Sequence, residues 1–342
     1  MYKLTAVEIC AGAGGQALGL EQAGFDHVAL VEIDADACST LRLNRPRWKV
    51  VETDLKKFDG SSLRGVDLLA GGVPCPPFSK AGKQLGESDE RNLFPAAIRL
   101  VDECRPTAIM LENVPGLLDP SFCEYRDLIE VSLRKMGYTP FWTTLNACKY
   151  GVSQLRPRVV LAAIRRELAH TFCWPMPSEG NPPTVGELLY PLMASAGWHL
   201  VDEWRERANN IAPTIVGGSK KHGGPDLGPT RAKKSWASLG VDGHGVASEP
   251  PRPEFAGLPR LTVPMVARLQ GFPEDWQFCG RKTSTYRQVG NAFPPPVALA
   301  VGRSIADCIW RRKAVKAPSP YGDDLLRISY QPFLPYVDDP PA

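Results

Sequence analysis

The stretch LTAVEICAGAGG, residues 4–15, decides the fold. Its apolar run over Leu4–Cys10 has the composition of a buried strand, and the glycine-rich segment leads into helix-like spacing over Gly15–Ala23. Gly12 and Gly14 permit a tight turn and a close backbone approach to a ligand at the helix N-terminus, as in nucleotide-binding α/β folds. The chain therefore opens with a strand, a glycine turn and a helix; a turn that binds nothing is the alternative.

The alternation of short apolar runs and helical patterns continues to about residue 165. It is typical of a parallel sheet covered by helices on both faces, and it predicts an α/β, doubly wound, mostly parallel sheet. The predicted strands are Leu4–Cys10, His27–Val31, Val66–Ala70, Thr107–Leu111 and Arg158–Ile164, and the predicted helices are Gly15–Ala23, Ala35–Leu43, Asn92–Cys104 and Cys123–Met136.

The amino-acid composition changes near residue 171. Residues 171–261 are rich in glycine, proline, tryptophan and basic residues, which predicts a second, smaller domain. Helical spacing returns at Val297, Val301 and Ile305, after a triple proline that suits a helix start. We expect one domain from residues 1–170 and 262–316 and a proline-rich tail over residues 317–342. We also expect the core of the smaller domain to contain Trp174, Trp198, Trp204 and Trp236, for which base stacking is the alternative.

Composition narrows the class of protein. The 342 residues are 43% hydrophobic, enough to bury a large core, and no apolar run reaches the ~18–20 residues that span a bilayer. The first residues carry no secretory signal pattern, so a cytoplasmic enzyme without membrane contact is expected. The nine cysteines include no C-x-x-C pair, which argues against disulfides and a structural metal. A net charge of +3 is too small to identify an anionic partner.

A cysteine follows the strand Val66–Ala70. The segment GGVPCPPFSKAG, residues 71–82, brings Cys75 to the carboxyl end of the sheet, where open α/β folds bind ligands. Three prolines stiffen the turn, and Lys80 and Lys83 favour a thiolate. An isolated cysteine is more often an inert core residue, and that alternative stands beside the catalytic one.

Further charged residues end neighbouring strands. Glu112 would face the same cleft as Cys75 and could hold or donate a proton, although a helix cap or an ion pair is the alternative. Arg156 and Arg158 lie on one face at strand spacing and could hold an anionic or carbonyl-bearing substrate, unless they form a surface ion pair. Glu32 could bind a ribose diol and Asp54 an adenine amino group, which favours an adenosine-containing ligand over solvated carboxylates.

Six ordered blocks resemble the DNA (cytosine-5)-methyltransferases that use S-adenosylmethionine. They are AGAGG (11–15), GVPC (72–75), ENV (112–114), QLRPR (154–158), RLQGFP (268–273) and QVGNA (288–292). The resemblance covers roughly residues 6–165 and 261–303. It implies a Rossmann-like methyltransferase fold, with residues 1–170 and 262–316 as the catalytic and cofactor-binding domain and residues 171–261 as the target-recognition domain.

The resemblance also implies roles for single residues. Cys75 would attack carbon 6 of a flipped-out cytosine, Glu112 would serve N3 as proton partner, and Arg156 and Arg158 would bind the base carbonyl or hold the active-site loop. Cys10 stands where the family commonly has an aromatic residue, and Pro76 where glutamine often follows the nucleophile. The resemblance also implies that S-adenosylmethionine would contact Cys10, Ala11, Gly12, Gly14, Gly15, Glu32, Ile33, Asp54, Leu55, Pro74, Leu93, Asn291 and Ala292.

DNA contacts are expected on two segments. The loop 76–93 would close on the opened duplex, and residues 205–234 hold seven Lys/Arg against two acidic residues, which suits a phosphate footprint. An ordinary solvated basic loop is the alternative for the second segment. The candidate DNA-binding residues are Ser79, Lys80, Lys83, Gln84, Lys220, Lys221, Arg231 and Lys233.

We therefore expect a monomeric, metal-independent enzyme that methylates carbon 5 of cytosine in a specific double-stranded DNA sequence. The small recognition region favours the modification enzyme of a restriction-modification pair. Two other hypotheses stay open: a tRNA cytosine-5 methyltransferase of the same family, and a catalytically inactive DNA-binding regulator.

Overall fold

The computed structural model describes residues 3–74, 92–217 and 224–316, with side chains as far as residue 311. The strands are β1 (Leu4–Ile9), β2 (Phe25–Glu32), β3 (Val50–Glu52), β4 (Leu68–Gly72), β5 (Ala108–Asn113), β6 (Tyr138–Asn146) and β7 (Pro157–Arg165). They form one sheet in the order β3-β2-β1-β4-β5-β7-β6.

Helices cover both faces of this sheet and continue beyond it. They are α1 (Gly15–Gln22), α2 (Ala35–Asn44), α3 (Phe94–Cys104), α4 (Cys123–Lys135), α5 (Val185–Ala194), α6 (Val201–Arg207), α7 (Thr230–Ser238), α8 (Val263–Leu269), α9 (Lys282–Asn291) and α10 (Pro295–Lys316). The predicted doubly wound α/β fold is confirmed, and each predicted strand and helix is present with ends that differ by at most two residues. No helix of the described residues is both long and apolar enough to cross a membrane.

One strand of the sheet is reversed, and this reversal shapes the site. Strands β1 to β5 pair in parallel, whereas β7 runs antiparallel to β5 and β6. The beginning of β7 therefore lies beside the end of β5, where Asn113 pairs with Val159 and Glu112 with Val160. Residues that enter β7 thus reach the edge of the sheet at which open α/β folds bind ligands.

The last helix packs against the first. Val297, Val301 and Ile305 of α10 are buried in one hydrophobic cluster with Leu4 of β1 and Leu20 of α1. Gly19 of α1 permits the close approach, because a Cβ at this position would lie 2.3 Å from the carbonyl oxygen of Pro295. Helix α10 thereby covers the sheet that the first strand begins.

Tryptophans organise the segment between β7 and α8. Trp198, Trp204 and Trp236 are buried in one hydrophobic cluster, which also includes residues of α8 and α9. The expectation for Trp174 was wrong: it packs edge-on against Phe172 and belongs to the cluster beneath α10. It lies only nine residues after the end of β7 in sequence.

Candidate active site

A cleft of about 550 Å³ opens at the carboxyl edge of the parallel strands. Its walls come from the turn after β1, from the ends of β2, β4 and β5, and from α9. Of the residues expected around the methyl donor, all except Gly14 line it. They are Cys10, Ala11, Gly12, Gly15, Glu32, Ile33, Asp54, Leu55, Pro74, Leu93, Asn291 and Ala292.

Gly14 supports the turn from its other side. It precedes α1 with φ of 86°, in the left-handed region that favours glycine. A Cβ at Gly14 would lie 2.7 Å from the side chain of Leu41 and 3.0 Å from that of Trp276. Gly14 therefore faces the hydrophobic core, and it shapes the turn without lining the cleft.

Glu32 fixes the shape of the cleft at the end of β2. Its Oε2 accepts a hydrogen bond of 2.8 Å from the backbone N–H of Gly12, and its Oε1 accepts bonds of 2.8 Å from Ile33 and Asp34. The carboxylate thus ties the glycine turn to the next strand. The neighbouring Ile33 is 67% exposed and offers an apolar surface against which a planar ring can pack.

Two buried polar side chains of the cleft wall were not predicted. Glu8 is 1% exposed and Gln16 is 4% exposed, yet Glu8 Oε2 and both amide atoms of Gln16 have no hydrogen-bond partner among the described residues. Burial raises the pKa of Glu8 well above its ordinary value. Because an unpaired buried polar group costs about 1–3 kcal/mol, these atoms are suited to meet polar groups of a ligand. The sequence does carry a signal for Glu8, because a glutamate inside an otherwise apolar strand is unusual.

Glu112 enters the same cleft from the end of β5. It is 9% exposed and pairs in register with Gly72 of β4. Its Oε1 accepts a charge-assisted hydrogen bond of 2.8 Å from Nε of Arg158. Burial raises the pKa of Glu112, against the lowering effect of Arg158 and Arg156. The carboxyl group is therefore oriented by a cation and still disposed to hold a proton.

Arg156 occupies a different environment from Arg158. It is fully buried, and its guanidinium donates to the carbonyl oxygens of Ile215 (2.6 Å), Gly290 (2.6 Å) and Ala292 (3.1 Å). Among the described residues, neither arginine lines the cleft itself, but Arg158 binds the cleft residue Glu112. The expected common strand face is not seen, because β7 begins only at Pro157 and Arg156 precedes it. That the two arginines bind the base carbonyl or hold the active-site loop stays a prediction.

Strand β5 fixes the backbone of Val73, two residues before Cys75 in the chain. Asn113 Nδ2 donates a hydrogen bond of 2.7 Å to the carbonyl oxygen of Val73, and Pro74 lines the cleft. Several predicted site residues lie outside the described part of the chain: Cys75, Ser79, Lys80, Lys83, Gln84, Lys220 and Lys221.

The two described candidates for DNA binding differ in their surroundings. Arg231 is exposed on α7. Lys233, on the same helix, forms an ion pair of 2.8 Å with Asp226, so part of its charge is compensated. In the described ranges, no cluster of three or more His, Cys, Asp or Glu side chains is arranged to hold a metal ion.

A family model described as "C-5 cytosine-specific DNA methylase" matches residues 4–307. The chain belongs to this family. Type II methyltransferase M.NgoMIV of Neisseria gonorrhoeae is 57% identical over 306 residues, which are 89% of this chain and 97% of the relative. Type II methyltransferase M.NaeI of Lentzea aerocolonigenes is 57% identical over 313 residues, 89% of this chain and 75% of the relative.

The crystal structure of a Spodoptera frugiperda DNMT2 mutant shares the fold. It superimposes with a TM-score of 0.61 and 18% identity, over 90% of this chain and 99% of that one. This C-5 cytosine-specific DNA methylase combines a sheet that has one reversed strand with a cleft lined by both Glu32 and Glu112.

Proposed function

We propose that this DNA methylase transfers a methyl group from S-adenosylmethionine to carbon 5 of a cytosine in a specific duplex sequence, as the modification enzyme of a type II restriction-modification system. The observation that carries the proposal is that Glu112, bound by Arg158, lines the same cleft as Glu32 and the glycine turn. The two relatives named type II methyltransferases support the restriction-modification role.

The residues that line the cleft are suited to bind S-adenosylmethionine. Glu32 lies where a ribose diol can be bound, Ile33 offers an apolar face to adenine, and Asp54 lines the wall beside them. The unpaired polar atoms of Glu8 and Gln16 suit the charged amino-acid end of the donor. When bound, S-adenosylmethionine supplies a methyl group from its sulfonium centre.

Cys75, which follows the cleft residue Pro74 in the chain, is the proposed nucleophile. Its thiolate forms a bond to carbon 6 of the base while Glu112 protonates or hydrogen-bonds N3, so that electron density moves to carbon 5. Carbon 5 takes the methyl group, and loss of its proton then restores the double bond and expels the thiolate. The base must first leave the duplex stack, at a cost of a few kcal/mol.

Transfer of labelled methyl groups tests this function directly. The protein is incubated with labelled S-adenosylmethionine and either unmethylated duplex DNA or total tRNA. We expect label at carbon 5 of DNA cytosine and none after Cys75→Ser. Label confined to tRNA would support the tRNA hypothesis, and label in neither would support an inactive regulator.

Covalent trapping tests the nucleophile. Duplex DNA that contains 5-fluorocytosine cannot lose a proton from carbon 5, so the adduct should persist and map to Cys75. An adduct that maps to another cysteine would overturn the assignment of Cys75 and leave the methyl-transfer result intact.

A further inference from the structure

The buried hydroxyl of Tyr286, on α9, binds two separate points of residues 171–261, which we call the recognition segment. Tyr286 is 1% exposed, and its hydroxyl oxygen lies 3.0 Å from the carbonyl oxygen of Val216 and 2.5 Å from that of Asp226. Burial raises the pKa of Tyr286, so the hydroxyl keeps its proton and can donate it to either carbonyl. Val216 and Asp226 thereby share one anchor on the catalytic domain.

The backbone beside this anchor packs tightly against the end of α9. A Cβ at Gly217 would lie 2.3 Å from Oδ1 of Asn291, and a Cβ at Gly290 would lie 2.4 Å from the Cα of Gly217. The guanidinium of Arg156 also bridges Ile215 to Gly290. A shift of residues 215–217 would therefore displace the end of α9.

The same helix forms part of the cleft proposed for the methyl donor. Arg287, Gln288 and Asn291 of α9 all line it. On the other side, Asp226 binds Lys233 of α7, the helix that also carries the exposed Arg231. One rigid element thus contacts the donor cleft and the backbone that leads to α7.

We propose that Tyr286 is a positioning residue that couples DNA binding by the recognition segment to methyl-donor binding in the cleft. This inference rests on the proposed function, since it needs both ligands to bind the same protein. Coupling between two binding sites is reciprocal: if DNA raises the affinity for the donor, the donor raises the affinity for DNA by the same factor. Tyr286→Phe keeps the buried ring and removes only the hydroxyl.

The test measures binding of S-adenosylhomocysteine by calorimetry, with and without a duplex oligonucleotide that carries the sequence methylated by the wild-type enzyme. Tyr138→Phe is the matched control, because the buried Tyr138 hydroxyl also donates to a carbonyl, that of Pro106, at 2.7 Å. We expect DNA to raise the wild-type affinity by about fivefold or more. In Tyr286→Phe this factor should fall towards one, with unchanged affinity in the absence of DNA. Tyr138→Phe should keep the wild-type factor.

Three results would overturn the inference: no coupling in the wild type, an unchanged factor in Tyr286→Phe, or an equal loss in Tyr138→Phe. A loss of donor affinity without DNA would also count against it, because Tyr286 would then support the cleft alone. Failure of the proposed function would be seen separately, as the absence of methyl transfer to DNA by the wild-type enzyme. A raised KM for DNA with a smaller change in kcat in Tyr286→Phe would agree with the coupling role.

Discussion

Arg158 donates from Nε to Oε1 of Glu112 across the junction between β7 and β5, and both side chains are almost entirely buried. The ion pair leaves Oε2 of Glu112 near Gly72, at the end of the strand that leads to Cys75. A carboxyl group fixed on one oxygen by a cation presents the other in a defined direction. This relationship gives Glu112 a geometry suited to proton transfer to a base held in the cleft.

Glu112→Gln should lower kcat by about 10²–10⁴-fold, because an amide cannot hand a proton to N3 as the carboxyl group does. Binding of S-adenosylhomocysteine should stay within the wild-type range. Steady-state methylation and calorimetry measure the two quantities. Glu124→Gln, at an exposed position of α4, is the control; activity retained by Glu112→Gln would remove Glu112 from the mechanism.

Gly72→Ala should reduce methylation without unfolding the protein. Its new Cβ would lie 3.2 Å from Oε2 of Glu112, closer than ordinary van der Waals contact, so the carboxyl group must shift. Gly116→Ala is the matched control, because Gly116 has no non-neighbouring atom of the described residues within 4 Å of the corresponding Cβ position. Turnover and thermal unfolding of both variants separate the two effects, and equal turnover in the pair would contradict the steric argument.

Arg156→Leu should mainly reduce stability, whereas Arg158→Leu should mainly reduce catalysis. Arg156→Leu leaves three backbone carbonyls without their donor, so we expect the free energy of unfolding to fall by about 3 kcal/mol. Arg158→Leu releases Glu112 and should mainly lower kcat. Urea unfolding and turnover of both variants test this division, which equal stability losses would contradict.

Glu8→Gln should change how stability depends on pH. Burial raises the folded pKa of Glu8 above its ordinary 4.5. Between the unfolded and folded pKa values the unfolded chain binds fewer protons, so the Glu8 contribution to stability is present at low pH and is lost as pH rises. Glutamine removes this loss, so the variant should gain on the wild type by up to about 1.4 kcal/mol per pH unit within that window. Urea unfolding across the acid-to-neutral range measures the gain; a difference that does not vary with pH would refute it.

Arg231→Ala should weaken DNA binding more than Lys233→Ala, because Asp226 already compensates Lys233. If Arg231 contacts a phosphate, its removal should reduce the slope of log K against log salt concentration by about 1. Fluorescence anisotropy with a duplex at several salt concentrations gives both slopes. Identical slopes in the two variants would place the phosphate contacts elsewhere.

The sheet could be predicted because parallel strands are buried on both faces and appear as continuous apolar runs. Glu32 and Glu112 could be placed for the same reason: each stands at the end of such a run. Strand β6 escaped prediction because it is an edge strand that contains Pro140 and Trp142 and mixes buried with half-buried positions.

Other features depend on contacts distant in sequence. The carbonyls that bind Arg156 lie some 60 to 136 residues away in the chain, so spacing alone suggested a cleft residue. The orphaned atoms of Glu8 and Gln16 are visible only when the turn and helix are packed. Helix α5 did carry a local signal, since Thr184 and Glu187 form a capping box at its start.

The packing of α10 on α1 sets an order of events during synthesis. The first strand and helix leave the ribosome early, but the apolar side chains that cover them belong to residues about 280 positions later. Until Val297, Val301 and Ile305 are made, Leu4 and Leu20 lack part of their packing and remain open to association with other chains. The nascent protein therefore passes most of its translation with an unfinished core, and truncation before α10 should yield an aggregation-prone product.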